Sequence, residues 1–144
     1  MRSTLCTLAV GLALLAVPGS GPGQEKKEEE KKVDNRIFEL RIYHAAPGKM
    51  KALHERFRAT TVGLFKKHGI TIIGFWSPTK EADADKLLYY ILAYPSKAAA
   101  DRSWKAFRAD PDWIKAKEAS EKNGTLVSKI ESIYMNPTEY SPMK

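Results

Sequence analysis

Cysteine is almost absent from this chain. The one cysteine, Cys6, lies in an apolar run near the N-terminus, so the 144 residues hold no pair that could form an internal disulfide. A small domain that depends on disulfide bonds is therefore excluded. The composition, 43% hydrophobic and 28% charged, is instead sufficient for one globular domain with its own core.

Several motifs of common enzyme chemistry are also missing. The sequence has no glycine-rich phosphate loop, no serine nucleophile elbow and no dinucleotide-binding fingerprint. Its three histidines, His44, His54 and His68, stand in no metal-binding spacing with one another or with a carboxylate. We therefore expect no metal ion and no other bound cofactor.

Only one long hydrophobic run occurs, and it lies at the N-terminus. Residues 5–17, LCTLAVGLALLAV, follow Arg2 and precede a segment rich in glycine and proline, which is the layout of a secretory signal peptide. The run is shorter than the ~20 residues that a membrane-spanning helix needs. We therefore predict a signal peptide over residues 1–23, no stable membrane anchor, and a secreted or periplasmic location.

The segment after the signal peptide is charged and of low complexity. Residues 24–35, QEKKEEEKKVDN, carry charges of both signs and almost no apolar side chains, so they are predicted to form a flexible linker. The folded domain is then expected over residues 36–137, and residues 138–144 are expected to form a C-terminal tail.

The chain is basic, with a formal net charge of +7. Much of the excess falls on a predicted helix over residues 49–68. There the charges alternate with an apolar stripe whose spacing of three and four residues is that of a buried helical face: Met50, Leu53, Phe57, Thr61 and Leu64. The charges are therefore assigned to the solvent side of this helix, and we expect no nucleic-acid partner.

The order of the predicted elements indicates the fold class. Alternating or β-branched runs predict strands over residues 36–43, 70–77, 86–94 and 125–135. Helices are predicted over residues 49–68, from a Ser96 cap to residue 109, and from an Asp110-Pro111 start to about residue 123. This order is an α+β, ferredoxin-like βαββα(α)β arrangement with one antiparallel sheet.

Such a sheet has helices on one face only, so the other face needs a second cover. Two sheets closing face to face in a symmetric homodimer would form a dimeric α+β barrel.

A set of short motifs in ordered succession resembles the NIPSNAP family. The resemblance runs from about residue 36 to 142, and it is carried by Glu39 to Tyr43, Pro47 to Met50, Gly74-Phe75-Trp76, Arg102 with Trp104 and Phe107, Asp110 to Trp113, and Tyr140 to Pro142. It implies a dimeric α+β barrel, which is shared with antibiotic-biosynthesis monooxygenases and, more distantly, with haem-using chlorite dismutases. It implies no settled activity, because the roles proposed for the family in trafficking and mitochondrial quality control belong to mitochondrial members.

The first strand supplies one group of candidate site residues. Glu39, Arg41 and Tyr43 share a face because side chains repeat every two residues along a strand. With Phe38, Leu40 and Ile42 assigned to the helices, this trio points into the barrel, where a carboxylate beside a guanidinium could orient a small polar ligand. The alternative is a structural one, a cross-strand ladder of four charges completed by Lys129 and Glu131.

Aromatic residues and two further polar residues complete the candidate cavity. Trp76 and Tyr90 could form a wall for a planar molecule, although Tyr89 and Tyr90 must point to opposite faces, so at most one of them lines it. His44, at the end of the first strand, is a candidate acid, base or haem ligand, and Arg102 could lie near the barrel mouth.

Two functions remain open at this point. The first is an exported homodimer that binds a small organic molecule in its barrel. The alternative is a cofactor-independent or haem-linked monooxygenase-like enzyme that acts on an aromatic or lipophilic substrate in the same cavity.

Overall fold

The structure, a computed structural model, describes residues 36–144. The predicted signal peptide (residues 1–23) and linker (residues 24–35) lie outside the described residues. Between residues 36 and 144, no helix combines the length and hydropathy that a membrane span requires.

The described chain contains four strands and five α-helices. The strands are β1 (Ile37–Ala45), β2 (Thr71–Trp76), β3 (Leu87–Tyr94) and β4 (Val127–Met135), and the helices are α1 (Met50–Arg56), α2 (Val62–Lys67), α3 (Glu81–Ala84), α4 (Lys97–Ala109) and α5 (Pro111–Ser120). A π-helical turn, Phe57–Thr61, joins α1 to α2. The predicted helix over residues 49–68 is therefore continuous but not regular, and α3 lies between the strands predicted over residues 70–77 and 86–94, where the sequence predicts no helix.

The ends of the helices are fixed by the residues that the sequence suggested. The Ser96 side chain accepts a hydrogen bond from the backbone N–H of Ala99 and caps α4, and the Asp110 carboxylate accepts one from Asp112 and caps α5. Gly69, with a φ of +70°, ends α2 in the left-handed conformation that favours glycine. These cap predictions are confirmed.

The four strands form one antiparallel sheet in the order β2-β3-β1-β4. Because β1 is central, Arg41 lies opposite Tyr90 on β3 and opposite Ser132 on β4. The α+β, ferredoxin-like fold with one antiparallel sheet is confirmed.

The core lies between one face of this sheet and the helices. The stripe predicted on the first helix is buried as expected, and Leu53, Phe65, Tyr90, Leu92 and Trp104 lie near its centre. Arg56 is an exception to the prediction that the charges of this helix face solvent. Its guanidinium is buried over the Trp113 ring and donates to Glu121 at 2.8 Å.

The predicted period of β1 is right, but the assignment of its two faces is wrong. Glu39, Arg41 and Tyr43 face the helices, since Glu39 accepts a hydrogen bond from Trp104 of α4 and Tyr43 contacts the Phe57 ring. Both faces of this strand carry apolar side chains, so hydropathy alone could not distinguish them. The polar pair on the helix side is tolerated because buried partners satisfy it.

The opposite, open face of the sheet carries the side chains that alternate with these. It includes Leu40, Ile42, Tyr89, Ile91 and Ile133, of which Ile133 is 48% exposed. At one end of this face the C-terminal tail lies against Phe38 and Met135, and together they line a groove with Pro137 and Met143. Phe38 is buried there.

Candidate functional site

A buried carboxylate lies at the centre of the helix side of the sheet. The Glu39 side chain is inaccessible to solvent and accepts four hydrogen bonds. One oxygen accepts from Arg41 Nη1 at 2.5 Å and from Ser132 Oγ at 2.6 Å. The other accepts from Tyr94 OH and from Trp104 Nε1, both at 2.8 Å. Four bonds are about the full capacity of a carboxylate, so none remains for a ligand.

Both partners of this ion pair are held in their charged forms. Burial alone would raise the pKa of Glu39, but the hydrogen bond from Ser132, the Arg41 charge and the bonds from Trp104 and Tyr94 together leave that pKa below its ordinary value. Burial acts to lower the pKa of Arg41, yet Tyr90, Tyr43 and Glu39 together hold it above its ordinary value. The guanidinium also lies over the Trp104 ring, 4.3 Å from its centroid.

The cross-strand ladder of four charges does not form. Lys129 and Glu131 lie on the open face, whereas Glu39 and Arg41 lie among the helices. Glu131 instead pairs with His44 at 2.7 Å and with Lys129 at 3.0 Å. These two bonds lower the pKa of Glu131. Neighbouring residues of β4 point to opposite faces of the sheet. The four charges therefore form two groups that do not contact each other.

A cavity of about 220 Å³ lies between the π-helical turn with its flanking helices and the C-terminal end of β2. Its lining combines aromatic and aliphatic side chains with three polar residues: His54, Phe57, Arg58, Val62, Phe75, Trp76, Ser77 and Leu88. Tyr90 lies behind this wall, with its ring centroid 5.5 Å from that of Phe57 and 5.4 Å from that of Phe75. The buried network around Glu39 therefore supports the cavity wall from behind.

The π-helical turn brings three of these residues to the cavity. Phe57 and Arg58 lie within the turn, and Val62 follows it. Thr61 Oγ1 donates to the carbonyl of Arg56, five residues earlier, at 3.3 Å, and the N–H of Val62 bonds to the carbonyl of Phe57. Such interruptions of a helix occur frequently at functional sites.

His54 and Arg58 give the cavity its electrostatic character. Burial and the Arg58 charge lower the pKa of His54, so its imidazole is neutral at pH 7, with one donor and one acceptor nitrogen. Arg58 is exposed, and among residues 36–144 it makes no hydrogen bond or ion pair. Arg41 and Arg56, by contrast, are both paired with carboxylates.

The structure separates the residues that the sequence analysis grouped in one cavity. Glu39, Arg41, Tyr43 and Tyr90 lie together in the buried network, whereas Trp76 lines the cavity. His44 lies on the open face, and Arg102 is exposed on α4.

Of the residues that line the cavity, only Trp76 was predicted as a site residue, and the two ionisable ones, His54 and Arg58, were not. They lie on a helix whose charges were all assigned to solvent, and nothing in the periodicity signals a π-helical turn. Thr61, a β-branched residue in the buried stripe that can bond back to a preceding carbonyl, is the one local sign of such an interruption.

No group of three or more histidine, cysteine, aspartate or glutamate side chains between residues 36 and 144 is arranged to hold a metal ion.

Known structures match this fold. A NIPSNAP family protein of unknown function from Agrobacterium tumefaciens is 19% identical, with 78% of this chain and 96% of that chain covered and a TM-score of 0.66. An uncharacterised NIPSNAP-like domain protein from Burkholderia xenovorans is 16% identical, covering 76% and 90%, with a TM-score of 0.65. A mutant of SnoaB, a cofactor-independent oxygenase from Streptomyces nogalater, is 13% identical, covering 76% and 99%, with a TM-score of 0.51.

No curated protein sequence matches this chain. The NIPSNAP family profile, however, matches residues 38–142, which is most of the chain and nearly all of the described part. The motifs around Glu39, Trp76 and Asp110 lie within that match. The chain therefore belongs to the NIPSNAP family.

Proposed function

We propose that this protein is an exported NIPSNAP-family homodimer that binds a small organic molecule in the cavity between His54 and Trp76. The observation that carries the proposal is the cavity itself, whose lining is mostly apolar and includes a few polar groups. That combination is typical of small-molecule sites. The buried pair of Glu39 and Arg41 is not the binding site, because Glu39 is inaccessible to solvent and already accepts four hydrogen bonds.

Export rests on the N-terminal sequence. Arg2, the apolar run and the following polar segment have the order of a signal peptide and a mature N-terminus. The intact mass of the protein purified from its own host tests this. We expect a chain that begins near Gln24, and a cytosolic protein that retains Met1 would contradict export.

Assembly rests on the open face of the sheet. Leu40, Ile42, Tyr89 and Ile91 lie on this face, which no helix of the described residues covers, and a second copy of the same face is a self-complementary cover for them.

Ligand binding is tested by native mass spectrometry of protein purified from its own host. We expect a small molecule to remain bound to the wild-type protein and to be lost from Val62→Phe, whose larger side chain fills the cavity. Ala106→Phe, at an exposed position of α4, is the control and should retain the molecule. If Val62→Phe retains the molecule as fully as the wild-type protein does, the cavity is not the binding site.

One observation favours a second candidate, an oxygenase-like enzyme. The neutral His54 imidazole stands beside aromatic walls and could act as a base toward a bound substrate. Oxygen consumption with the molecule that co-purifies distinguishes the two functions. Turnover that is lost in His54→Gln would favour the enzyme, and binding without turnover would favour the binding protein.

A further inference from the structure

The two ionisable side chains that line the cavity, His54 and Arg58, are both basic. Arg58 lines the cavity and, among residues 36–144, has no acidic partner, although other arginines of this domain do. A guanidinium presents a planar set of donors that matches a carboxylate. The nearby neutral imidazole of His54 can donate one more hydrogen bond.

Three aromatic side chains line the cavity, and its volume limits the size of the ligand. They are Phe57, Phe75 and Trp76, and the volume is about 220 Å³. A dry apolar cavity of about 150 Å³ is known to accept benzene. There is therefore room for one six-membered ring with a short polar substituent, but not for a multi-ring molecule held within the walls.

We propose that the ligand of this cavity is a single-ring aromatic carboxylate, with its ring among Phe57, Phe75 and Trp76 and its carboxylate bound by Arg58 and His54. This inference rests on the proposed small-molecule function and adds the chemical class of the ligand. The aromatic wall selects a flat apolar body, and the unpaired cation selects a negative charge at one end.

The test compares benzoate with benzamide, a neutral molecule of nearly the same shape. Dissociation constants are measured by ligand-observed NMR on the purified protein and on three variants. Arg58→Gln removes the charge at the cavity, and Arg108→Gln removes the same charge from an exposed position of α4. Val62→Phe, which fills the cavity, shows whether the binding measured is at this site.

We expect benzoate to bind about tenfold more tightly than benzamide, because one charge-assisted contact contributes roughly a factor of ten. Arg58→Gln should lower the benzoate affinity to about that of benzamide, whereas Arg108→Gln should preserve the preference. Binding of both molecules should be lost in Val62→Phe.

Different results of this experiment would overturn different parts of the proposal. Equal affinity for the two molecules, or a benzoate preference that survives Arg58→Gln, would overturn the carboxylate assignment and leave a small-molecule site of another class. If neither molecule binds, or if binding persists in Val62→Phe, the aromatic carboxylate inference is overturned. The proposed function then depends on the native mass spectrometry experiment, which uses no assumed ligand.

Discussion

At the scale of single residues, the buried pair of Glu39 and Arg41 is the feature most sensitive to substitution. Glu39 is inaccessible to solvent, and its charge is compensated by a guanidinium that is itself largely buried. Removing one member of such a pair leaves the other as an uncompensated buried charge.

Arg41→Ala is therefore expected to lower the free energy of unfolding by about 3 kcal/mol. Chemical denaturation measures this difference. Arg102→Ala, which removes an exposed arginine from α4, is the control and should change stability by less than about 0.5 kcal/mol. If Arg41→Ala unfolds with the same free energy as the wild-type protein, the ion pair does not stabilise the packing of the sheet against α4.

The pH dependence of stability should carry the signature of Glu39. Because its pKa is lower in the folded protein than in the unfolded chain, it contributes stability above its unfolded pKa of about 4.3. That contribution is lost as the pH falls through the lower, folded pKa. Wild-type protein should therefore be more stable than Glu39→Gln at pH 7, and the difference should shrink in acid. A difference that does not change between pH 7 and pH 3 would contradict this assignment.

Some features at this scale could be predicted from the sequence and others could not. The caps at Ser96 and Asp110 were predictable, because a capping side chain bonds to backbone two or three residues away. The burial of Glu39 was not, because its partners Tyr94, Trp104 and Ser132 are distant in the chain, and no local pattern signals that their polar atoms converge.

At the scale of elements, the end of β2 and the π-helical turn set the shape of the cavity. The register of β2 shifts between Ile72 and Gly74, and the Trp76 ring lies over Gly74. A Cβ at position 74 would lie 2.8 Å from that ring. The glycine therefore allows Trp76 to occupy its place beside the cavity.

Gly74→Ala is expected to displace the Trp76 ring and to weaken binding of the co-purifying molecule severalfold. Trp76 is half exposed and can move, so the loss of stability should be small. Gly63→Ala is the control, because a Cβ there meets nothing within 4 Å and alanine favours the helix by about 1 kcal/mol. Tryptophan fluorescence measures the displacement of the ring and the binding of the molecule, and thermal unfolding measures the change in stability. Unchanged binding by Gly74→Ala would mean that Trp76 is not part of the site.

At this scale, the order and type of the main elements followed from periodicity, whereas the faces of β1 and the π-helical turn did not. A period of two assigns residues to the same face without saying which face is covered. That choice depends on the whole layer of helices, in particular on Trp104 and Phe57.

At the scale of the whole molecule, the helices between residues 36 and 144 cover only one face of the sheet. Apolar side chains of three strands, including Ile42, Ile91 and Ile133, lie together on the other. An exposed apolar surface of this kind is typical of an assembly interface.

Light scattering at micromolar concentration should therefore give about twice the mass of the mature subunit. Ile42→Lys, which places a charge on the open face, should give a monomer that retains the native circular dichroism spectrum. Ile114→Lys, at an exposed position of α5, is the control and should remain dimeric. A monomeric wild-type protein would contradict the proposed assembly.

The alternation of β1 has a consequence for how relatives of this protein can diverge. Its odd-numbered residues, such as Glu39 and Arg41, are tied to partners on α4, β3 and β4, so a change in one demands a change in several. Its even-numbered residues, such as Leu40 and Ile42, meet only what lies against the open face. Along this one strand, alternate positions are therefore free to evolve at different rates: Glu39 and Arg41 are constrained by several partners within the domain, whereas Leu40 and Ile42 are free of those partners.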